Sequence, residues 1–450
     1  MTKPSSLNQY LQNYSVADGW KLIAGNTDNI SQVVVIPAFA EKNMLLYTLA
    51  SLAQNMPASL DYSFVLCVIN NKKNSADEVK INNQQTLEYL QALVNKKIQR
   101  DRNLNQGLKD IMQLIADSGL RLGYIDASSA GQEVPDEEGG VGMARKIGMD
   151  RALILLSNSS SPKTNILSLD ADTLVQSNYL TALKDCFINK VKTAIVAYEH
   201  QEPDLDEERA AMYCYEIFLR YWILGLRYAK SPYAFHSIGS AMACSTDAYL
   251  DVRGMNRREA GEDFYFLNKL AKIGKINYVK KTCVFPSSRA SQRVPFGTGK
   301  RIQRFLTHEQ EEYVLYDPQI FEILAKWLEL MEKPFHYTED EIMKNAGLIH
   351  PLLASFLTDS SFEQAWKRVR RNVKDEDTLI KQFHCWFDGF KTLKLINYLS
   401  REFYPPVNMF AALENILKMQ KIVISECILA ANHPDLARQQ KIIQYLRQIT

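Results

Sequence analysis

The chain has 450 residues, of which 46% are hydrophobic and 23% are charged, and this balance is typical of a soluble globular protein. This length exceeds what one ordinary core needs, so we expect two or more domains. The formal net charge is +2, from 53 basic and 51 acidic residues, which argues against a dedicated nucleic-acid-binding protein.

The cysteines and the apolar segments indicate the compartment. The seven cysteines are scattered without the spacing of a metal finger or a redox pair, as expected for free thiols in a reducing compartment. Residues 1–14 are polar and lack the apolar core of a secretory signal. The apolar stretch at 217–228 is too short to cross a bilayer and contains Arg220 and Arg227. We therefore expect a cytoplasmic protein without a transmembrane segment.

The first 300 residues alternate short apolar runs with segments of helical spacing. This alternation predicts an α/β domain with a mostly parallel sheet flanked by helices. The predicted strands are 33–36, 64–69, 122–125, 165–169, 193–197 and 276–285, and the predicted helices are 43–54, 142–156 and 178–188. The long polar segment 75–119 predicts a helical insertion between the second and third strands.

Beyond about residue 302 the strand pattern ends and only helical patterns follow. We expect an all-α C-terminal domain, with helices at 320–331, 338–356, 362–373, 378–400, 409–430 and 434–448. The predicted organisation is therefore an N-terminal extension (1–30), an α/β domain (31–305) and a helical domain (306–450).

Two carboxylates, Asp170 and Asp172, follow the predicted strand at 165–169. Ligands of open α/β sheets bind beyond the carboxyl ends of the strands, and Mg²⁺ or Mn²⁺ favours carboxylate and phosphate oxygen. Asp-x-Asp is a weak pattern, and it recurs at 204–206 and 375–377 in polar, helix-like surroundings, where a solvated turn explains it. Only the first copy, with a strand before it, predicts a metal site.

A second acidic pair, Glu262 and Asp263, follows Gly261 at the start of a predicted helix. These carboxylates could simply complement the helix dipole. Facing a metal site, one of them would instead be a suitable general base for an acceptor hydroxyl.

Two further segments have the composition of phosphate-binding loops. Residues 139–146 place glycines before a helix whose first turn carries Arg145, although a plain capped helix would have the same pattern. Residues 287–301 are polar and basic, and they could close over a phosphorylated ligand or serve only as a linker to the helical domain. The cations of interest in this second loop are Arg289, Arg293 and Lys300.

Taken in order, residues 31–305 resemble the family 2 glycosyltransferases of the GT-A fold. The opening Val33-Val-Val-Ile-Pro-Ala-Phe-Ala-Glu41 resembles that family's first strand and nucleotide-binding loop, Asp170-Ala-Asp172 its metal motif, and Gly261-Glu-Asp263 its acidic pair. Gly239-Ser-Ala-Met-Ala243 resembles the segment on the acceptor side. The resemblance implies that the donor is held by Pro37, Ala38, Phe39, Glu41, Arg145, Ala171, Arg289, Arg293 and Lys300, and that Gly239 and Ser240 lie on the acceptor side.

The chain departs from that family's pattern in two places. The second strand ends in Asn70 and Asn71, where many members carry aspartates that read the nucleobase, so amides would have to contact the base here. Related enzymes often supply a downstream histidine to the metal, but none follows Tyr278 until His308. His236 is a candidate for that ligand, against the ordinary interpretation of a hydrogen-bonded structural histidine.

The resemblance implies an inverting transfer of a sugar, expected to be a hexose, from a nucleotide-diphospho-sugar to a carbohydrate or other hydroxyl acceptor. Asp263 would be the base, Glu262 its helper, and Asp170 and Asp172 the ligands of Mg²⁺ or Mn²⁺. One alternative is a sugar nucleotidyltransferase, although the loop after the first strand lacks the glycines and cations typical of that class. Another is a non-catalytic nucleotide-sugar sensor, although a sensor would need no base.

The helical domain contains the basic stretch Lys367-Arg-Val-Arg-Arg371 beside several aromatic residues. A packed core with a solvated charged surface explains this composition. Recognition of the acceptor or of an anionic surface, including a peripheral membrane contact, is the alternative.

Overall fold

In the computed structural model, the residues described are 7–98, 105–290, 297–422 and 434–450. The chain divides into two compact units, one made of 1–201 and 237–287 and the other of 202–236 and 288–450. Residues 202–236 therefore pack with the helical residues, whereas the sequence had assigned them to the α/β domain. Within the described ranges, no helix is long and apolar enough to cross a membrane. The six cysteines in these ranges form no disulfide.

The strands in chain order are β1 (Leu22–Ala24), β2 (Gln32–Ala38), β3 (Ser63–Asn70), β4 (Leu122–Ala127), β5 (Asn165–Ser168), β6 (Leu174–Val175), β7 (Thr193–Tyr198), β8 (Met242–Ser245), β9 (Ile276–Phe285), β10 (Val314–Leu315) and β11 (Val407–Asn408). The first nine form one sheet in the first unit, in the order β1-β4-β3-β2-β5-β8-β7-β9-β6. Of these, β2, β3, β4, β5, β7 and β9 run in one direction, and β1, β6 and β8 run in the other. The predicted mostly parallel sheet is confirmed.

The described helices in chain order are α1 (Leu7–Asn13), α2 (Lys42–Ala53), α3 (Pro57–Leu60), α4 (Asp77–Val94), α5 (Gln106–Asp117), α6 (Val141–Ser157), α7 (Tyr179–Ile188), α8 (Asp206–Tyr228), α9 (Thr246–Asp251), α10 (Glu262–Ile273), α11 (Thr298–Leu306), α12 (Pro318–Leu330), α13 (Glu339–Ile349), α14 (Pro351–Asp359), α15 (Phe362–Asn372), α16 (Glu376–Trp386), α17 (Gly389–Glu402), α18 (Met409–Met419) and α19 (Leu436–Ile449). Helices α4 and α5 occupy the segment between β3 and β4 where the helical insertion was expected.

The centre of the sheet is covered by helices. Every residue of β2 and β3 is buried, which explains why these strands read as continuous apolar runs in the sequence. Helix α6 packs directly on them. A Cβ added at Gly148 would lie only 2.3 Å from Val35 Cγ1, which shows how closely the helix approaches the sheet. This glycine lets α6, which also carries Arg145, pack closely against the two central strands.

The described part of the second unit is helical apart from the short pair β10–β11. Its core joins residues of α8 to residues of the later helices, which is why α8 belongs to this unit. The predictions of single helices at 338–356 and 378–400 were wrong. Pro351 begins a new helix capped by His350, and Asp388 caps α17 through the N–H groups of Phe390 and Lys391.

Candidate active site

Asp170 and Asp172 lie just beyond the carboxyl end of β5, a buried strand that runs parallel to β2. Both side chains are partly exposed, whereas Ala171 between them is buried and its carbonyl accepts a hydrogen bond from Thr48 Oγ1 at 2.9 Å. The other two Asp-x-Asp copies lie at helix starts, where Asp206 opens α8 and Asp375 caps α16. Position after a buried strand therefore distinguishes the first copy.

Arg145 of α6 joins the two acidic motifs. Its Nε donates to Glu262 Oε1 at 2.8 Å, its Nη2 donates to Asp170 Oδ1, and its Nη1 donates to Ser168 Oγ at 2.6 Å. Its side chain is 3% exposed, as against 33% for Asp170. Burial alone would lower the pKa of Arg145, but the charges of Asp170 and Glu262 outweigh it and hold that pKa above the usual value.

The segment predicted to lie on the acceptor side also packs around this network. Gly239 leaves room for the guanidinium, since a Cβ there would lie 2.2 Å from Arg145 Nη2, and its carbonyl accepts from Nη1 at 3.4 Å. The Ser240 hydroxyl donates to Asp170 Oδ2 and accepts from Thr173 Oγ1 at 2.9 Å. Both oxygens of Asp170 therefore have partners within the chain.

The acidic pair opens α10, immediately after Gly261, whose φ of 68° is in the left-handed region that favours glycine. Glu262 is buried against Arg145, and only 5% of its side chain is exposed. Asp263 is half-buried, and its Oδ1 accepts a hydrogen bond from the N–H of Phe264 at 2.7 Å. The two neighbouring carboxylates thus differ in their surroundings, and Glu262 is the one committed to an ion pair.

Burial raises the pKa of Asp263 to about 7, and the charge of Glu262 acts in the same direction. Arg145 and the Phe264 N–H oppose the rise, and Asp170 adds to it. A carboxylate with this pKa accepts a proton near neutral pH far more readily than an ordinary aspartate does.

The loop after β2 is held by a residue that the sequence did not single out. Asn83 of α4 accepts from the N–H of Ala40 at 2.9 Å and donates to Asn70 O at 3.0 Å and to Asn71 Oδ1 at 2.8 Å. Ala40 has a φ of 55°, which is uncommon for a residue with a side chain, so this bond stabilises an unfavourable backbone conformation. No sequence signal could have found Asn83, because it lies in a helix rich in polar residues.

The residues expected to hold the nucleotide differ in burial. Pro37 and Ala38 form the end of β2, Phe39 and Glu41 follow in the loop, and Glu41 is buried. Asn70 and Asn71 are also buried. The Asn71 amide donates to Lys72 O at 3.1 Å and to Ser128 O at 3.2 Å, so this side chain connects loops of the fold.

The glycine-rich turn before α6 packs against another loop of the same unit. A Cβ at Gly140 would lie 2.5 Å from Glu259 Cα, and one at Gly142 would lie 2.2 Å from Arg258 O. An exposed ion pair from Arg257 Nη1 to Glu138 Oε1 at 2.7 Å joins the same two loops, and another from Lys72 Nζ to Glu259 Oε1 at 2.6 Å joins the loop after β3 to the second of them. These contacts explain the glycines without invoking a phosphate.

The remaining candidates belong to the second unit or lie outside the described residues. Lys300 lies on α11, and its Nζ is 3.9 Å from Glu309 Oε1. Arg289 lies in the segment before that helix. Arg293 lies outside the described residues. His236 is buried near Arg220 and Arg227, where burial and these charges hold its pKa well below the usual value. The structure does not assign it to the group around Asp170.

No family model matches the sequence, and no curated protein matches it either. Among solved structures, the chain is similar to residues 1–349 of TarS from S. aureus in complex with UDP-GlcNAc, with 12% identity, a TM-score of 0.37, and coverage of 94% of this chain and 93% of that one. It is also similar to the mannosyltransferase PcManGT from Pyrobaculum calidifontis in complex with GDP-Man and Mn²⁺, with 11% identity, a TM-score of 0.38, and coverage of 98% and 91%. Similarities this distant assign no substrate.

Proposed function

We propose that this chain is a glycosyltransferase that moves a sugar from a nucleotide-diphospho-sugar donor to an acceptor hydroxyl, with inversion and with a divalent metal ion. One observation carries the proposal. Arg145 binds Asp170 of the Asp-x-Asp motif and Glu262 of the acidic pair at the same time, next to Asp263 with its raised pKa. The two motifs that a transfer needs are therefore joined within one α/β unit.

In this proposal Asp263 is the general base. It is half-buried, and its pKa near neutrality suits proton transfer at physiological pH. The carboxylate takes the proton of the acceptor hydroxyl while that oxygen attacks the anomeric carbon and the bond from this carbon to the diphosphate breaks. Attack on the side opposite the leaving group inverts the configuration.

Glu262 and Arg145 are positioning residues in this reaction. Glu262 fixes the guanidinium, and the guanidinium fixes Asp170, so the acid motifs hold each other in place. Arg145 was expected to contact the diphosphate, but its buried guanidinium donates to Asp170, Glu262 and Ser168, so the proposal gives it a positioning role instead. Pro37, Ala38, Phe39 and Glu41 are proposed to line the donor site from the end of β2.

The residues fit a metal ion that is held jointly with the donor. Among the described residues, no group of three or more His, Cys, Asp or Glu side chains is arranged as a complete metal site. Mg²⁺ in proteins is commonly held by one or two carboxylates together with substrate phosphates. Asp170 and Asp172 would supply the carboxylates, and the donor would supply the phosphates. When bound, such an ion would neutralise charge on the leaving diphosphate. Asp170 would then exchange part of its contact with Arg145 and Ser240 for the ion.

The experiment that tests the proposal measures ligand binding and turnover together. A thermal-shift screen of UDP-, GDP-, ADP- and TDP-sugars, with and without Mn²⁺, should raise the melting temperature for one nucleotide class, because ligand binding stabilises by RT ln(1 + [L]/Kd). The same donor should be hydrolysed slowly by the wild-type chain and not by Asp263→Asn. Stabilisation by a nucleotide-sugar without any turnover would favour the sensor instead.

A further inference from the structure

The N-terminal segment is bound to the helix that carries Arg145. Tyr10 of α1 and Val16, which precedes the short 3-10 turn Ala17–Gly19, both donate hydrogen bonds to Asp150 of α6. Arg151 of α6 donates from Nη2 to Ala17 O at 2.6 Å and to Trp20 O at 2.9 Å. The segment read from the sequence as an extension is therefore integrated into the first unit.

Asp150 of α6 is the centre of this attachment. Its Oδ1 accepts from the hydroxyls of Tyr10 at 2.6 Å and Tyr249 at 2.7 Å, and its Oδ2 accepts from Val16 N at 2.9 Å and Lys146 Nζ at 3.0 Å. The carboxylate is fully buried, and these donors replace the water that it has lost. Loss of any one of them therefore leaves the buried charge less well solvated and destabilises the fold. Because the donors come from α1, α6, α9 and the chain after α1, this one side chain fixes several elements to each other.

Tyr10 also packs against the turn that leads to the acidic pair. Gly254 has a φ of 69°, and a Cβ there would lie only 2.0 Å from the Tyr10 hydroxyl oxygen. Lys269 of α10 donates to the carbonyls of Val252 and Gly254 and thereby ties this turn to the helix that begins with Glu262. The Tyr10 hydroxyl is thus in contact with the helix of Arg145 and with the turn that precedes Asp263.

We propose that Tyr10 is a positioning residue for the transfer reaction, because it holds α6 and the 252–263 segment at a fixed separation and so fixes Arg145 relative to Asp263. This inference rests on the proposed function for its kinetic readout only. Misplacement of reacting groups by about 1 Å can cost on the order of 100-fold in rate, so loss of a hydroxyl that links the two elements is expected to lower the rate.

The test compares two Tyr→Phe substitutions in the same unit. Tyr10→Phe removes the hydroxyl that bonds Asp150, whereas Tyr179→Phe removes a buried hydroxyl that has no hydrogen-bond partner among the described residues. Both changes keep the aromatic ring, and in Tyr10→Phe the Asp150 carboxylate keeps its contacts with Val16, Tyr249 and Lys146, so both variants should fold. Amide hydrogen exchange is measured on peptides covering 141–150 and 254–263, together with kcat and the donor KM.

For Tyr10→Phe we expect faster exchange in these two regions and a kcat lowered about tenfold, with the donor KM changed by less than about twofold. Tyr179→Phe should match the wild type in all three. If Tyr10→Phe matches Tyr179→Phe, or if its exchange rises uniformly over the whole unit and KM rises with it, Tyr10 has no positioning role. If the wild type transfers no sugar, the proposed function fails, and the exchange comparison then tests only whether Tyr10 holds α6 and the 252–263 segment together.

Discussion

Arg145 donates from Nε to Glu262 Oε1 at 2.8 Å, and both side chains are almost fully buried. This ion pair joins residues separated by 117 positions in the sequence. Since the same guanidinium binds Asp170, removal of one charge affects both acidic motifs.

Arg145→Gln is therefore expected to destabilise the chain strongly. Breaking a buried ion pair by removing one partner costs about 3–5 kcal/mol, because the other charge stays buried and unpaired. Chemical denaturation measures the free energy of unfolding. The control is Arg257→Gln, which breaks the exposed pair with Glu138 and should cost about 0–1 kcal/mol. Equal losses in the two variants would contradict a buried structural role for Arg145.

Asp263→Asn is expected to lower the rate of sugar transfer by about 10²–10⁴, the usual contribution of a general base, and to keep the affinity for the donor. The amide retains the volume and the hydrogen bond of the carboxylate but cannot take a proton. Steady-state kinetics and isothermal titration with donor separate the two effects. Asp247→Asn, an exposed position in the first turn of α9, serves as the control. If Glu262→Gln abolishes transfer and Asp263→Asn does not, the two roles are reversed.

The raised pKa of Asp263 predicts opposite effects of pH on activity and on stability. In the proposed reaction the ionised form of Asp263 is the base, so kcat should fall as pH drops below about 7. Because the folded-state pKa exceeds the value of about 3.9 in an unfolded chain, stability falls as pH rises from about 4 to 7, and the loss is complete above pH 7.

It follows that Asp263→Asn should melt at a higher temperature than the wild type at pH 8, with a smaller difference at pH 5. Thermal unfolding at the two pH values measures this difference. The group faces Glu262, Asp170 and Arg145, so Asp247→Asn again provides the reference for a carboxylate outside this cluster. A lower melting temperature for Asp263→Asn at pH 8 would show that its carboxylate is stabilised by the fold.

Asp172→Ala is expected to abolish metal-dependent donor binding and to leave the fold intact, because a partly exposed carboxylate contributes little to stability. Titration of the nucleotide with and without Mn²⁺ measures the effect. Asp377→Ala changes an exposed residue of another Asp-x-Asp copy and should bind as the wild type does. Unchanged Mn²⁺-dependent binding by Asp172→Ala would remove this residue from the metal site.

The basic stretch of α15 contains cations with different surroundings. Arg370 donates to Tyr337 O at 2.6 Å, whereas Arg368 and Arg371 have exposed side chains. If this surface recognises the acceptor, Arg368→Gln combined with Arg371→Gln should raise the acceptor KM several-fold, on the order of 1 kcal/mol, and leave donor hydrolysis unchanged. Kinetics with varied acceptor measure this effect, and an equal loss of both activities would contradict it. Arg370→Gln is the variant expected to lower stability instead.

The sequence by itself determined the six strands of the sheet that run in one direction and the location of the two acidic motifs, but it did not reveal β1, β6 and β8, which are short and run in the other direction. Strands such as β2 and β3 are buried on both faces, so their continuous apolar runs identify them without any knowledge of their neighbours. Asp170 was separated from the other Asp-x-Asp copies for the same reason, because only it follows such a strand. The local sequence is therefore sufficient to predict buried strands and the acidic residues that follow them.

Only the tertiary structure decided which side chains meet. The partners of Arg145, the space that Gly239 leaves for its guanidinium, the Asn83 contacts and the Tyr10–Asp150 bond all join residues far apart in the chain. Such pairings depend on how strands and helices pack, and a single sequence carries no local signal for them. The same packing buries Asp263 beside Glu262, so the pKa that makes it a suitable base is a property of the fold and not of the motif.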